Sequence, residues 1–91
     1  MPFYLKYHPA VRNEDLPIID RRMKDRIRKA IEERLQTVPH EYGDPLRKDL
    51  KGYRKLRVGD YRVVFKISGS EVWILGIRHR KSIYSDITTR L

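Results

Sequence analysis

A lysine, a histidine, a tyrosine and several arginines stand at positions from which they could act together on a phosphodiester. Lys55, Arg57 and Arg62 fall within one short stretch, residues 53–67. Arg78, His79 and Arg80 close a second apolar run, and Tyr84 follows shortly after. These types suit RNA cleavage without a metal. When a ribose 2′-hydroxyl attacks the adjacent phosphate, the catalyst must supply a base, an acid and positive charge for the phosphorane oxygens. Arginines neutralise such a dianion through bidentate hydrogen bonds. His79 is suited to proton transfer near neutral pH, Lys55 to accepting the 2′ proton, and Tyr84 to stacking on a base or assisting the leaving group. DNA lacks the 2′-hydroxyl, so this chemistry would be confined to RNA. Plainer readings stand beside these. His79 is also a typical surface residue or phosphate contact, and the Tyr84 ring could simply pack on a sheet. Tyr42, Tyr53, Phe65 and Trp73 read as core or rim residues rather than stacking platforms.

The element that must position the cations is a β-hairpin over residues 53–67. Two runs rich in β-branched and aromatic residues are joined by Gly59-Asp60, which suits a two-residue type II′ turn with φ > 0 at its first position. That turn fixes a register in which Val58 faces Tyr61, Arg57 faces Arg62, Leu56 faces Val63 and Lys55 faces Val64. Facing residues share a side of the sheet and successive residues alternate. One side then carries Leu56, Val58, Tyr61, Val63 and Phe65 for a core. The other carries Lys55, Arg57, Arg62 and Lys66 around Val64. Four cations on one small surface repel one another, which stability alone does not predict and an anionic ligand does. Arg62 is the strongest candidate, being mid-strand and opposite a second arginine.

Around the hairpin, residues 2–8 alternate as a first strand ended by Pro9. A short helical stretch from about Ala10 to Leu16 is interrupted by Pro17. Asp20 is a candidate N-cap for a helix to about Thr37, with Met23, Ile27, Ala30, Ile31 and Leu35 forming one apolar stripe. Its remaining face, rich in both signs of charge, reads as solvated with i,i+4 pairs such as Asp25–Lys29. Residues 39–46 read as a loop from their Pro and Gly content. Ser68-Gly69-Ser70 turns the chain again, and residues 72–77 are apolar on both faces, as in a central strand covered on both sides. Residues 82–91 suit a short terminal helix or tail. The expected order is β-α-α-β-β-β with a short C-terminal helix. This is an α+β domain: a small, twisted, mostly antiparallel sheet with two helices on one face and a partly open, basic other face.

Composition sets the outer bounds. Ninety-one residues, 40% hydrophobic and 36% charged, fit one globular domain. No apolar run approaches a membrane span and no signal-peptide pattern opens the chain, so a cytoplasmic location without membrane contact is expected. There is no cysteine, and His8, His40 and His79 show no ligand spacing, so neither a metal site nor another cofactor is expected. The net charge is +9, which points to a polyanionic partner. Residues 1–46 hold nine Lys/Arg against eight Asp/Glu, while residues 47–91 hold twelve against four. The excess lies in the half containing the hairpin, as a nucleic-acid surface would have it. Lys48, Lys51, Arg54, Arg57, Lys66, Arg80 and Lys81 are the candidate RNA contacts.

Residues 55–65 (Lys-Leu-Arg-Val-Gly-Asp-Tyr-Arg-Val-Val-Phe) and 76–84 (Gly-Ile-Arg-His-Arg-Lys-Ser-Ile-Tyr), with the preceding Gly-Asp-Pro-Leu-Arg-Lys-Asp-Leu-Lys-Gly (43–52), resemble the RelE/ParE toxin superfamily. The element order agrees, so the resemblance covers nearly the whole chain as one RelE-like domain over residues 1–91. It implies a toxin of a type II toxin–antitoxin pair. RelE-like members enter the ribosomal A site and cut mRNA without a metal, leaving a 2′,3′-cyclic phosphate. Carried over by position, Arg62 matches the transition-state arginine, Lys55 a lysine of the base machinery, Arg78 the arginine after the last strand, and Tyr84 the C-terminal tyrosine. Tyr53 stands where family members have a second lysine. Arg54 preserves the charge there, but alternation points it to the opposite face. His79-Arg80 falls where members vary, and some relatives use a nearby histidine as the acid. The implied partners are mRNA in the ribosomal A site and a cognate RelB-like antitoxin, acidic and partly disordered when free, in a hetero-oligomer. The alternatives are a ParE-like inhibitor of DNA gyrase without nuclease activity, and a binding module that has lost catalysis.

Overall fold

The computed structural model describes residues 2–46 and 52–91. Five strands form one mixed sheet in the order β1-β5-β4-β3-β2. They are β1 (Tyr4–Tyr7), β2 (Asp44–Pro45), β3 (Tyr53–Val58), β4 (Tyr61–Ser68) and β5 (Glu71–His79). β1 runs parallel to β5, and every other pairing is antiparallel. The hairpin register matches the expected one residue for residue, with Arg57 opposite Arg62 and Lys55 opposite Val64. Gly59 has φ +61°, and no residue other than glycine has positive φ among the described residues. That fits a turn needing the left-handed region only at its first position.

A single π-type turn (Val11–Asp15) and a 3-10 turn holding Pro17 (Leu16–Ile18) replace the expected short α-helix. Helix α1 (Arg21–Ala30) continues through a π-type turn (Ile31–Leu35). The Asp20 carboxylate caps it by accepting from the Met23 amide at 2.8 Å. Its expected stripe is real: Ile27, Ala30, Ile31 and Leu35 are buried against Leu56, Val58, Val63, Phe65, Val72, Ile74 and Ile77 of the sheet. The 39–46 stretch is not all loop, since its last residues form the two-residue β2 beside β3.

The opposite sheet face is less open than expected. Helix α2 (Ile83–Thr88) folds back across it and buries Ile83 and Ile87 against Val64 and Leu75. The sheet allows this close approach at Gly76, where a Cβ would collide with the Ile87 side chain and lie 2.7 Å from an Arg90 guanidinium nitrogen. A bulge in the β4–β5 pairing, between Val64 and Phe65, lets β5 bury Ile74, Leu75, Gly76 and Ile77 in succession.

Candidate active site

The face beneath α2 carries most of the expected site residues. Arg57, Arg62 and Arg78 lie opposite one another in register, forming one row across β3, β4 and β5. The next row toward the other end holds Lys55, Val64 and Gly76. Lys55 and Tyr84 meet there: the ammonium donates to the tyrosine hydroxyl at 2.8 Å and lies 5.3 Å from the ring centroid. Docking of α2 through Ile83 and Ile87 is what delivers Tyr84 to this strand-borne lysine. Four of the five expected catalytic residues therefore share one side of the sheet.

His79 is not among them. It pairs in register with Tyr61, and their rings meet edge to face at 5.7 Å on the side packed by α1. With Arg78 opposite Arg62, alternation along β5 sends the next side chain through the sheet. The expectation that His79 joins the other four at one site is thus corrected by strand geometry.

The cations differ in how they are held. One terminal nitrogen of Arg62 donates to the Gly59 and Tyr61 carbonyls, both at 2.9 Å, which folds the guanidinium onto its own turn. No carboxylate pairs with Arg62 among the described residues, so its charge is not offset. Arg78 is more constrained, donating from Nε to Asp86 at 2.7 Å and from Nη1 to Asp15 at 3.3 Å. The Asp86 hydrogen bond holds the Arg78 pKa above the ordinary arginine value, against the opposing effect of burial. Burial pushes the Asp86 carboxyl up, but hydrogen bonds from Arg78 and Ser82 together with the charges of Arg78 and Arg90 outweigh it and leave the pKa lowered.

Asp15, which the sequence reading did not single out, anchors this network while fully buried. It accepts two bonds from Arg90 at 2.6 and 2.7 Å and one from the Ile77 amide at 2.8 Å. Arg90, only 6% exposed, also donates to the Leu75 carbonyl at 3.1 Å, and its pKa is raised chiefly by the bond to Asp15. The signal in the sequence is spacing. Val11, Asp15 and Ile19 recur every fourth residue and all are buried, and a carboxylate at such a position requires a cationic partner.

The other expected RNA contacts divide by face. Lys66 shares the side of Lys55 and lies over the Tyr53 ring at 5.5 Å. Arg54 points the other way, as alternation requires, and ties the 40–42 turn through the His40 and Tyr42 carbonyls. Arg80 is exposed beside Asp60 at 3.7 Å, and Lys81 is exposed in the turn after β5. Lys48 and Lys51 lie outside the described residues. Among the described residues no His, Asp or Glu cluster could hold a metal ion, and no helix is long and apolar enough to cross a membrane.

An open five-stranded mixed sheet with helices packed on it matches the fold of RelE-type toxin structures. The RelBE2 toxin–antitoxin complex of Mycobacterium tuberculosis superposes with a TM-score of 0.79 at 28% identity, covering 88% of this chain and 93% of that one. The RelB–RelE antitoxin–toxin complex of Methanococcus jannaschii, at 24% identity, shares the fold with a TM-score of 0.68 over 89% and 96% of the two chains. The chain belongs to the ParE toxin family of type II toxin–antitoxin systems, matching its profile over residues 5–84. It is also 46% identical over 48 residues to a toxin RelE of M. tuberculosis, a match spanning half of each chain.

Proposed function

We propose that this protein is the toxin of a type II pair and acts as a metal-independent, ribosome-dependent mRNA endoribonuclease. The observation that carries the reading is the Lys55–Tyr84 hydrogen bond, 2.8 Å long, set beside a row of three arginines on the same face. Lys55, as the free amine, takes the 2′ proton as O2′ bonds to phosphorus. The P–O5′ bond then breaks, the departing O5′ takes the hydroxyl proton of Tyr84, and the new Lys55 ammonium returns a proton to that phenolic oxygen, leaving a 2′,3′-cyclic phosphate. Arg62, with no carboxylate partner among the described residues, stabilises the phosphorane oxygens, supported by Arg57. Arg78 contributes less, because Asp86 and Asp15 offset its charge. His79 takes no part. The mRNA enters within the ribosomal A site, in the cytoplasm. A cognate RelB-like antitoxin neutralises the toxin. Support for that partner comes from the net charge of +9, which complements an acidic segment, and from the antitoxin-bound relatives.

The test is cleavage of mRNA on programmed ribosomes by the native chain and by Arg62→Ala, with and without EDTA. EDTA-resistant cuts in the A-site codon, absent with Arg62→Ala, are the expected result. A folded native chain that leaves mRNA intact overturns the reading, and a DNA supercoiling assay then tests gyrase as the target.

A further inference from the structure

Beyond Lys55, the same sheet face carries a row that the cleavage chemistry does not use. Lys6, Trp73, Lys66 and Tyr53 lie opposite one another in register across β1, β5, β4 and β3, so cation and aromatic alternate over four strands. Trp73 is 43% exposed although it sits mid-strand between two paired neighbours. The other residues of this run, Val72 and Ile74 to Ile77, are all buried. Its indole N–H donates to Glu71 at 3.0 Å, which fixes the ring. Lys66 lies over the Tyr53 ring. A shallow depression of about 260 Å³ opens among Tyr53, Lys66, Ser68, Trp73 and Leu75.

Packing does not explain an exposed, oriented tryptophan between two lysines, whereas a flat aromatic ligand attached to a phosphate does. Single-stranded RNA offers that combination, with bases to stack on indole and phenol rings and phosphates for the cations. Tyr53 lies two residues along β3 from Lys55, or about 7 Å, and Trp73 lies two strands further across the sheet, or about 10 Å, so the row is within reach of a flanking nucleotide.

We propose that Trp73, with Tyr53 and Lys66, forms a stacking subsite for the base of a nucleotide flanking the scissile phosphate in single-stranded RNA. The inference rests on the endoribonuclease reading for its place in a reaction. The stacking itself can be read without cleavage. Trp73 is the sole tryptophan, so its emission reports on this subsite alone.

The experiment titrates the full chain with a short single-stranded RNA, 2′-O-methylated throughout so that it cannot be cut. Indole emission is followed alongside the anisotropy of an end-labelled copy, and ribosomal cleavage is assayed in parallel. The expected result is quenching that saturates together with the anisotropy. Trp73→Ala should weaken binding roughly tenfold or more, and Trp73→Phe should retain most of it. Circular dichroism of both variants establishes that they fold. RNA binding without quenching, equal binding by Trp73→Ala, no RNA binding by the native chain, or quenching by an acidic peptide but not by RNA overturns the subsite. Quenching by a native chain that never cleaves mRNA upholds the subsite and overturns the nuclease reading alone.

Discussion

Arg90 grips Asp15 with both terminal nitrogens, at 2.6 and 2.7 Å, joining residues 75 positions apart into one buried pair. The same carboxylate caps the Ile77 amide and receives Arg78. The first helical turn, strand β5 and the segment after α2 therefore meet on a single side chain. Since α2 brings Tyr84 to Lys55, this structural pair also sets the geometry of the candidate site.

Removing one partner of such a pair strands a charge in the interior. Asp15→Ala should destabilise the protein by about 3–5 kcal/mol, measured by chemical denaturation. The double variant Asp15→Leu/Arg90→Met should recover much of that loss, because an apolar pair leaves no uncompensated charge. If Asp15→Ala unfolded at the native midpoint, the network would have no structural weight.

Gly76 makes the same point through packing. Gly76→Ala puts a methyl group into the Ile87 side chain and against Arg90, and overpacking of this kind costs about 1–3 kcal/mol. Because the clash is with α2 rather than with α1, activity should fall further than stability suggests. Thermal melts compared with ribosomal cleavage rates would show whether the two losses separate.

How much of this was legible in the sequence depends on what fixes each feature. The hairpin register followed from a two-residue turn, because Gly59-Asp60 permits few geometries and one register puts every side chain on a definite face. Lys55, Arg57 and Arg62 were therefore placed correctly. The 72–77 run was legible as a covered strand, but its apolar residues hide phase, so neither the bulge nor the outward turn of Trp73 could be read from it. His79 could have been placed: once Arg78 lies opposite Arg62, alternation forbids His79 the same face. The Asp15–Arg90 pair was out of reach as a pair, since nothing local says which cation answers a buried carboxylate.

Lys55 and Tyr84 should behave as one unit. Tyr84→Phe keeps the ring that packs against the cluster of Val64, Leu75, Ile83 and Ile87, so the melting temperature should change little, while ribosomal cleavage should slow about 10²–10⁴-fold. Lys55→Met should cost a similar factor. The double variant should be little worse than either single one, because residues acting on one proton are not additive. Additive losses in kcat/KM would show that the two side chains serve separate steps.

Asp86 supplies a pH dependence. Its folded pKa is lowered, so its contribution to stability is fully present above the ordinary carboxylate pKa and is lost as pH falls through the folded value. The docking of α2 should therefore weaken in acid. Denaturation midpoints measured from neutral pH downward should fall less steeply for Asp86→Asn than for the native chain. Parallel curves would mean that the Arg78–Asp86 pair does not couple to folding.

The facing arginines of the hairpin carry a conflict between stability and binding. Arg57 and Arg62 are paired directly across β3 and β4, and like charges so placed disfavour the hairpin, whereas a favourable cross-strand pair contributes about 0.2–1 kcal/mol. Arg57→Thr replaces repulsion with a β-branched neighbour and should raise stability by a few tenths of a kcal/mol. It also removes one cation from the row proposed to face phosphate, so RNA affinity should fall and its dependence on salt should become shallower by roughly 0.7 in log–log slope. A variant that is both more stable and a weaker RNA binder fits a surface shaped by its ligand rather than by folding. If Arg57→Thr bound RNA with unchanged affinity and salt slope, Arg57 would lie outside the path of the phosphate backbone.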